Sequence, residues 1–250
     1  MSKKANYSYV GIAFIILLFG IIFVPKIVDR LSNEDVVRDD ESRSTGITTE
    51  TEAKPSNLAF IYSGTDIRKV PEFSFTNQHG KTITNQDYLG KVYVVEFFFT
   101  TCPTICPRMN RNLVEIQNHF AEFENFGVAA FTINPDFDTP EVLKKYAEDY
   151  GITNPNWNLM TGDQDEIYKL ANTGFNLYTA EEKEAEGGFE HSGNFALIDK
   201  NGFIRSRLDN FGNPLIYYNG IVSEAEGEDE DGIPQEITKL KEDIAKLLKE

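Results

Sequence analysis

Two residues of this chain stand apart for the chemistry they could do. Cys102 and Cys106 are its only cysteines, and three residues separate them in Phe99-Thr100-Thr101-Cys102-Pro103-Thr104-Ile105-Cys106-Pro107. Two cysteines are too few to staple a mini-protein, and these are too close together to be unrelated thiols. A disulfide, a redox-active dithiol and a metal site all suit the pair. A purely stabilising disulfide is the weakest of the three, because closing so small a loop removes little entropy from the unfolded chain. Pro107 has no N–H to donate and fits a helix only in its first turn. The spacing therefore predicts a helix that starts near Pro107, with Cys106 at its N-terminal end and Cys102 in the preceding loop. A helix N-terminus favours the thiolate, which is both the nucleophilic and the metal-binding form of cysteine.

Three histidines could join the thiols. His79 sits in a turn and His119 on the outer side of a helical segment, so both read as solvated surface residues. His191 differs: it stands in Phe189-Glu190-His191-Ser192-Gly193, just before the apolar segment Asn194 to Ile198. Two thiolates and an imidazole form a soft, low-coordinate donor set that suits Cu(I) and can take Cu(II). Zinc is the physical competitor, but structural zinc normally uses four protein ligands. Only Cys102, Cys106 and His191 present themselves. Met109 lies one helical step from Cys106 and could lend a thioether; packing is its simpler role.

The elements that must position these residues can be read from periodicity. Lys91 to Thr100 (KVYVVEFFFT) is a nearly continuous β-branched and aromatic run, as expected for a strand covered on both faces. Leu113, Ile116, Phe120 and Phe123 follow at helical spacing, and Val128 to Ile133 is the next buried strand. Asp138-Thr139-Pro140-Glu141 opens another helix, with a capping side chain before a proline suited to the first turn. Trp157 to Met160 reads as a short strand, and Asp163 to Ala171 as a helix. Asn77-Gln78-His79-Gly80 and Asp199-Lys200-Asn201-Gly202 read as hairpin turns. Ile237, Leu240, Ile244, Leu247 and Leu248 mark a terminal amphipathic helix. Strands alternating with helices and ending in a hairpin predict an α/β fold with a mixed central sheet flanked by helices. Cysteines directly after the first long buried strand make it thioredoxin-like, and in such a sheet the loop carrying His191 faces the cysteine turn. Thr179 to Gly188, acidic and insertion-like, reads as a flap beside His191, and Ser223 to Gly232 as a solvated acidic loop without an ordered calcium pattern.

These motifs together resemble the Sco/SenC family. The resemblance rests on Cys-Pro-x-Ile-Cys-Pro after a Phe-rich strand, and on Asn134-Pro135-x-x-Asp138-Thr139-Pro140 after the next. Trp157 with Thr161-Gly162, and His191-Ser192 before a strand ending Ile198-Asp199, complete it; together these cover about Ser74 to Leu208. It implies a membrane-anchored, thioredoxin-fold copper metallochaperone that helps assemble the copper centre in subunit II of cytochrome c oxidase. Carried over by position, Cys102, Cys106 and His191 are the implied copper ligands. Asn134 stands where the family usually has Asp, and Phe137 where it often has a basic residue. Two activities remain open: copper transfer by ligand exchange, or a thiol–disulfide reductase that keeps the acceptor's cysteines reduced. In the second, Cys102 is the exposed attacker and Cys106 the resolver. His191 favours the first, since a reductase does not need it. The Pro-x-x-x-Thr-x-x-Cys pattern of a peroxiredoxin-like peroxidase is absent. No copper donor can be read from the sequence.

Composition and the N-terminus set the compartment. The 250 residues carry a net charge of −16, six of the negative charges falling between Glu224 and Asp231. So acidic a surface repels a phosphate backbone, which excludes nucleic acid as an expected partner. Val10 to Val24 has no polar side chain, and from Tyr7 to Val24 a helix would be about 27 Å long, just enough for a bilayer core. Lys3 and Lys4 precede it, which keeps the N-terminus in the cytoplasm. No small-residue cleavage site follows the apolar run, so an uncleaved anchor is favoured over a signal peptide. Residues 1–28 are thus expected to be a single-pass anchor in the cell inner membrane, and 29–57 a polar linker. The domain 58–250 is expected on the periplasmic side.

Overall fold

A computed structural model describes residues 58–182, 184–185 and 187–250, with Leu17 and Phe19. Those two have helical backbone and are exposed; otherwise the expected anchor and linker lie outside the described residues. Among the described residues no helix is long and apolar enough to cross a membrane.

The chain from Leu58 builds one large mixed sheet. In order come β1 (Ala59–Phe60), β2 (Tyr62–Ser63), β3 (Asp66–Ile67), β4 (Ser74–Asn77), β5 (Thr82–Thr84) and β6 (Val92–Phe98). Helix α1 (Ile105–His119), β7 (Phe126–Thr132), α2 (Pro140–Tyr150), β8 (Trp157–Thr161) and α3 (Gln164–Lys169) follow. After them lie β9 (Thr179–Glu181), β10 (Phe189–His191), β11 (Asn194–Ile198), β12 (Ile204–Ser206), β13 (Tyr218–Asn219) and α4 (Ile237–Lys249). The strands of the main sheet run β1-β12-β11-β6-β7-β8-β4-β5, with β13 paired to β11. β6, β7 and β8 are parallel, and β11 and β4 lie antiparallel on either side of them. This is the mixed α/β sheet expected of a thioredoxin-like fold. Parallel strands need helical crossovers, which cover them and bury both faces. All seven residues of β6 and all seven of β7 are buried.

The two faces are packed by different aromatic groups. On one, Phe131 stands 5.1 Å from Phe73 and 5.4 Å from Phe97, and Phe97 reaches Phe175 in the turn beyond α3. On the other, Phe98 meets Tyr146 of α2 at 5.6 Å. That second face carries the helix with the cysteines.

Several expectations need correction in detail. Helix α1 starts at Ile105, two residues before Pro107, so Cys106 is its second residue and Pro107 still falls within the first turn. The helix expected over Asp163 to Ala171 ends at Lys169, and the backbone widens into a π-type turn over Leu170–Phe175. Both predicted hairpin turns form, and the same turn recurs twice more. At Asn77, Asp199, Asp209 and Asp229 the side-chain Oδ1 accepts from the backbone N–H groups two and four residues on. A glycine three residues on, with φ between 72° and 81°, closes each turn. Asp229 is thus a turn-forming residue inside the acidic stretch rather than one more solvated charge.

Candidate metal centre

Each member of the site sits at the end of an element whose buried part is fixed by packing. Cys102 follows β6, and its N–H donates to the Phe99 carbonyl at 3.3 Å. Cys106 is fully buried in the first turn of α1. His191 was expected in a loop; it is instead the last residue of β10, which pairs with β9 so that His191 stands opposite Thr179. The segment read as a flap is therefore a β-hairpin with His191 at its base. At its tip Gly187 packs so close that a Cβ there would lie 2.8 Å from the Phe99 ring and 3.3 Å from Pro103. The hairpin leans on the cysteine loop and brings the imidazole to the thiols.

The three residues converge. Cys102 Sγ, Cys106 Sγ and a His191 ring nitrogen lie within 4.8 Å of one another, and all three side chains are less than a tenth exposed. Cys106 Sγ is 3.1 Å from His191 Nε2, and the Cys106 backbone N–H donates to Cys102 Sγ at 3.5 Å. His191 Nδ1 lies 3.1 Å from the Ser192 carbonyl. A carbonyl can only accept, so Nδ1 carries the ring proton and Nε2 turns its lone pair to the sulfurs. The edge of His191 is held by Phe99, at 5.9 Å and 82° between rings.

The two thiols differ in proton affinity. Cys102 is held well below the ordinary thiol range, first by the hydrogen bond from Cys106 and then by the backbone N–H groups of Cys106 and Thr104. Burial pushes Cys106 up, and its bond to Cys102 and the neighbouring negative charge add to this. The pair is therefore a thiolate at Cys102 and a thiol at Cys106. Because the folded-state affinity of Cys102 is depressed, its contribution is complete above the unfolded thiol value of about 8.5 and is lost as pH falls below that. The expected result is that the stability gap between the native chain and Cys102→Ser widens between about pH 5 and about pH 8, by up to about 1.4 kcal/mol per pH unit. Urea unfolding at several pH values measures it, and a gap that stays flat would mean Cys102 keeps its proton in the fold.

Sequence reading missed two supports of this site. Asp138, fully buried, ties the cysteine loop to the β7–α2 loop. Its carboxylate accepts from the Thr100 N–H at 3.0 Å and from the hydroxyls of Thr100 and Thr132. Asn110 anchors the helix start, donating to the Cys106 carbonyl and to the Tyr146 hydroxyl, both at 3.1 Å. From the sequence either Asp138 or Thr139 could cap α2; Thr139 does so, accepting from the Val142 N–H, and Asp138 braces the loops. His79 and His119 are exposed, as expected, and Met109 is fully buried in the core. Of the two departures from the family motif, Asn134 carries the turn with its carbonyl, which accepts from the N–H groups of Phe137 and Asp138, while Phe137 is half-exposed.

The SCO1/SenC family pattern matches residues 63–226. The chain belongs to the SCO1/SenC family. It is 33% identical over 138 residues to the SCO1 protein homolog of Bacillus subtilis strain 168, covering 54% of this chain and 71% of that one. BsSco, in which a disulfide switch was identified and which belongs to the Sco family of cytochrome c oxidase assembly proteins, has a similar structure. The TM-score is 0.57 at 27% identity, over 72% of this chain and 94% of that one. ScoI of Bradyrhizobium japonicum, solved with copper bound, shares the fold with a TM-score of 0.51 at 20% identity, over 72% of this chain and 99% of that one. In this SCO1/SenC chain, no fourth His, Cys, Asp or Glu joins the cluster among the described residues. Two sulfurs and one nitrogen fit a soft monovalent ion better than zinc, which would lack a protein ligand.

Proposed function

We propose that the protein is a membrane-anchored copper metallochaperone. Cys102, Cys106 and His191 take up one copper ion as cargo, and the domain passes it by ligand exchange to a thiolate-rich acceptor. By family that acceptor is the copper centre of subunit II of cytochrome c oxidase. On this reading Tyr7 to Val24 anchors the chain in the inner membrane and holds the domain on the periplasmic side. One observation carries the proposal: two sulfurs and an imidazole whose Nδ1 faces a carbonyl meet in a buried site that no fourth His, Cys, Asp or Glu joins among the described residues. A site with few ligands can release its ion by gaining a competitor's thiolate before losing its own.

The test is an anaerobic copper titration of the reduced full chain, native and His191→Ala. We expect one copper per chain, thiolate-to-Cu(II) charge-transfer absorption, and an affinity about a hundredfold lower in the variant. Weak binding that His191→Ala does not change would remove the metallochaperone reading.

A second reading, a thiol–disulfide reductase acting on the acceptor's cysteines, is favoured by a specific observation. Both cysteines are free, and their environments drive their proton affinities apart. A ready thiolate and a protonated partner four positions on are what an attacker and a resolver require. The two readings are compatible, since copper loads only onto reduced acceptor thiols.

A further inference from the structure

The hairpin that carries His191 stands outside the main sheet. Among the described residues β9 and β10 pair as strands only with each other, and two strands alone are marginal in water. Something else must hold His191 still. Within the hairpin, Ser192 N–H donates to the Tyr178 carbonyl and Glu182 N–H to the Gly188 carbonyl, both at 3.0 Å. Bonded pairs alternate along an antiparallel ladder, so Thr179 and His191, which stand opposite one another, share no backbone bonds. The N–H and C=O of Thr179 therefore point out of the hairpin. Thr179 is buried, so both groups need partners.

Asn172 supplies both. Its side-chain oxygen accepts from the Thr179 N–H, and its amide nitrogen donates to the Thr179 carbonyl and hydroxyl, each at 3.0 Å. A side-chain amide offers the same donor and acceptor as a peptide group, so Asn172 takes the place of a third strand on the outer edge of β9. It can do so because its own backbone is braced. Asn172 lies in the π-type turn over Leu170–Phe175, a rare geometry that recurs at functional sites. Ala171 and Phe175 of that turn are fully buried. The Gly174 carbonyl accepts from Arg68 at 2.6 Å, and the Phe175 carbonyl from the Tyr217 hydroxyl. A Cβ on Gly174 would lie 2.9 Å from Pro71, so the turn sits tight against the segment before β4. The tip of the hairpin has its own seat, where Gly187 meets Phe99 and Pro103.

We propose that Asn172 is a positioning residue for the metal centre: by holding Thr179 it keeps the His191 imidazole at its 3.1 Å approach to Cys106 Sγ. The inference rests on the metal-site reading and extends it to a residue that is not itself a donor. The bond from Ser192 to Tyr178 ties the two strands together at this end, so β9 cannot shift without taking His191 along. A donor adds to affinity only while it stays within reach of the ion. With the base of the hairpin released, the ring samples many positions, and the ion is left for part of the time on two sulfurs alone. Asn172 therefore contributes by pre-organisation, removing in the folded chain an ordering cost that binding would otherwise carry.

The test uses the reduced full chain and Cu(I) competition against a chelator. Asn172→Ala should lower copper affinity about tenfold, within the range for groups that orient metal ligands. That loss should run through His191. In the His191→Ala background, Asn172→Ala should add less than about a twofold loss, because no ring is left to aim. Thr179→Val gives up only the hydroxyl bond, keeps both backbone bonds, and should stay within about threefold of native. A second readout needs no metal. Nitrogen-resolved NMR of the His191 ring at about pH 8, where an imidazole is neutral, should show a single tautomer with the proton on Nδ1 in the native chain and a mixture in Asn172→Ala. Native affinity with a single tautomer in Asn172→Ala would overturn the proposal, since the ring would then be held elsewhere. A further loss of about tenfold in the double variant would overturn it too, by showing that Asn172 supports the fold at large. Should Asn172→Ala not fold, Asn172→Asp keeps an acceptor for the Thr179 N–H but sets a charge against the Thr179 carbonyl; native affinity and a single tautomer there would count equally against it. Copper binding by the native chain that ignores His191→Ala removes the metallochaperone reading instead, and the metal-free ring spectrum then decides whether Asn172 holds the ring.

Discussion

Cys106→Ser is expected to lower Cu(I) affinity on the order of a thousandfold while leaving the fold in place. Serine nearly matches cysteine in shape, so a fully buried position can accept it at the cost of burying one hydroxyl, about 1–2 kcal/mol. The metal loses far more. A soft thiolate becomes a hard, protonated oxygen that Cu(I) binds poorly. Cys102 also loses the hydrogen bond that does most to hold its thiolate, and His191 Nε2 loses its partner at 3.1 Å. One substitution thus weakens all three donors. The measurement is competition against a Cu(I) chelator of known affinity, with urea unfolding of the same samples. Met109→Leu is the control, since Met109 is sealed in the core; it should stay within a few-fold of native. Native-like affinity in Cys106→Ser would show that copper sits on Cys102 and His191 alone.

Asp138→Ala should be the most damaging change outside the donors. Three groups donate to this buried carboxylate, and they come from the two loops that follow β6 and β7. The hydroxyls of Thr100 and Thr132 can turn to seek other acceptors; the Thr100 N–H cannot. A buried donor left without a partner costs about 1–3 kcal/mol, and losing a charged acceptor lies at the upper end of that range. We therefore expect a loss of about 3 kcal/mol in urea unfolding with little change in slope. Thr100 is two residues from Cys102, so the loop that aims one sulfur is released as well. Copper affinity should fall a further 10- to 100-fold, as for other supports of metal ligands. Asp138→Asn, which keeps one oxygen acceptor for the Thr100 N–H, should recover most of both losses. If Asp138→Ala binds copper as the native chain does, the loop is held by packing alone.

What could be read in the chain and what could not divides along a physical line. Features written in local spacing were legible. Lys91 to Thr100 could only be a doubly covered strand, because no polar alternation interrupts it apart from Glu96. The Asx-x-x-Gly turns were legible where their flanks were apolar, at Asn77 and Asp199. They went unread at Asp209 and Asp229, where the same side-chain-to-backbone bonds form outside the predicted strands. Cys102 and Cys106 announced themselves by spacing, and soft-donor chemistry together with the family motif made His191 the third member.

Only the tertiary structure decided the rest, because it depends on groups far apart in sequence. Cys106 and His191 are 85 residues apart, and their 3.1 Å approach exists because antiparallel β11 pairs with β6 and the β9–β10 hairpin folds onto Pro103. The unequal thiols follow from burial and from mutual hydrogen bonding, which no spacing encodes. Asp138 reads locally as one of two candidate helix caps, with Thr139; it became the brace of the cysteine loop because β6 and β7 are parallel neighbours whose ends meet. Glu96 is the one acid in a strand whose spacing predicts cover on both faces. The packed sheet buries it fully, and burial raises its proton affinity well above the ordinary carboxyl range.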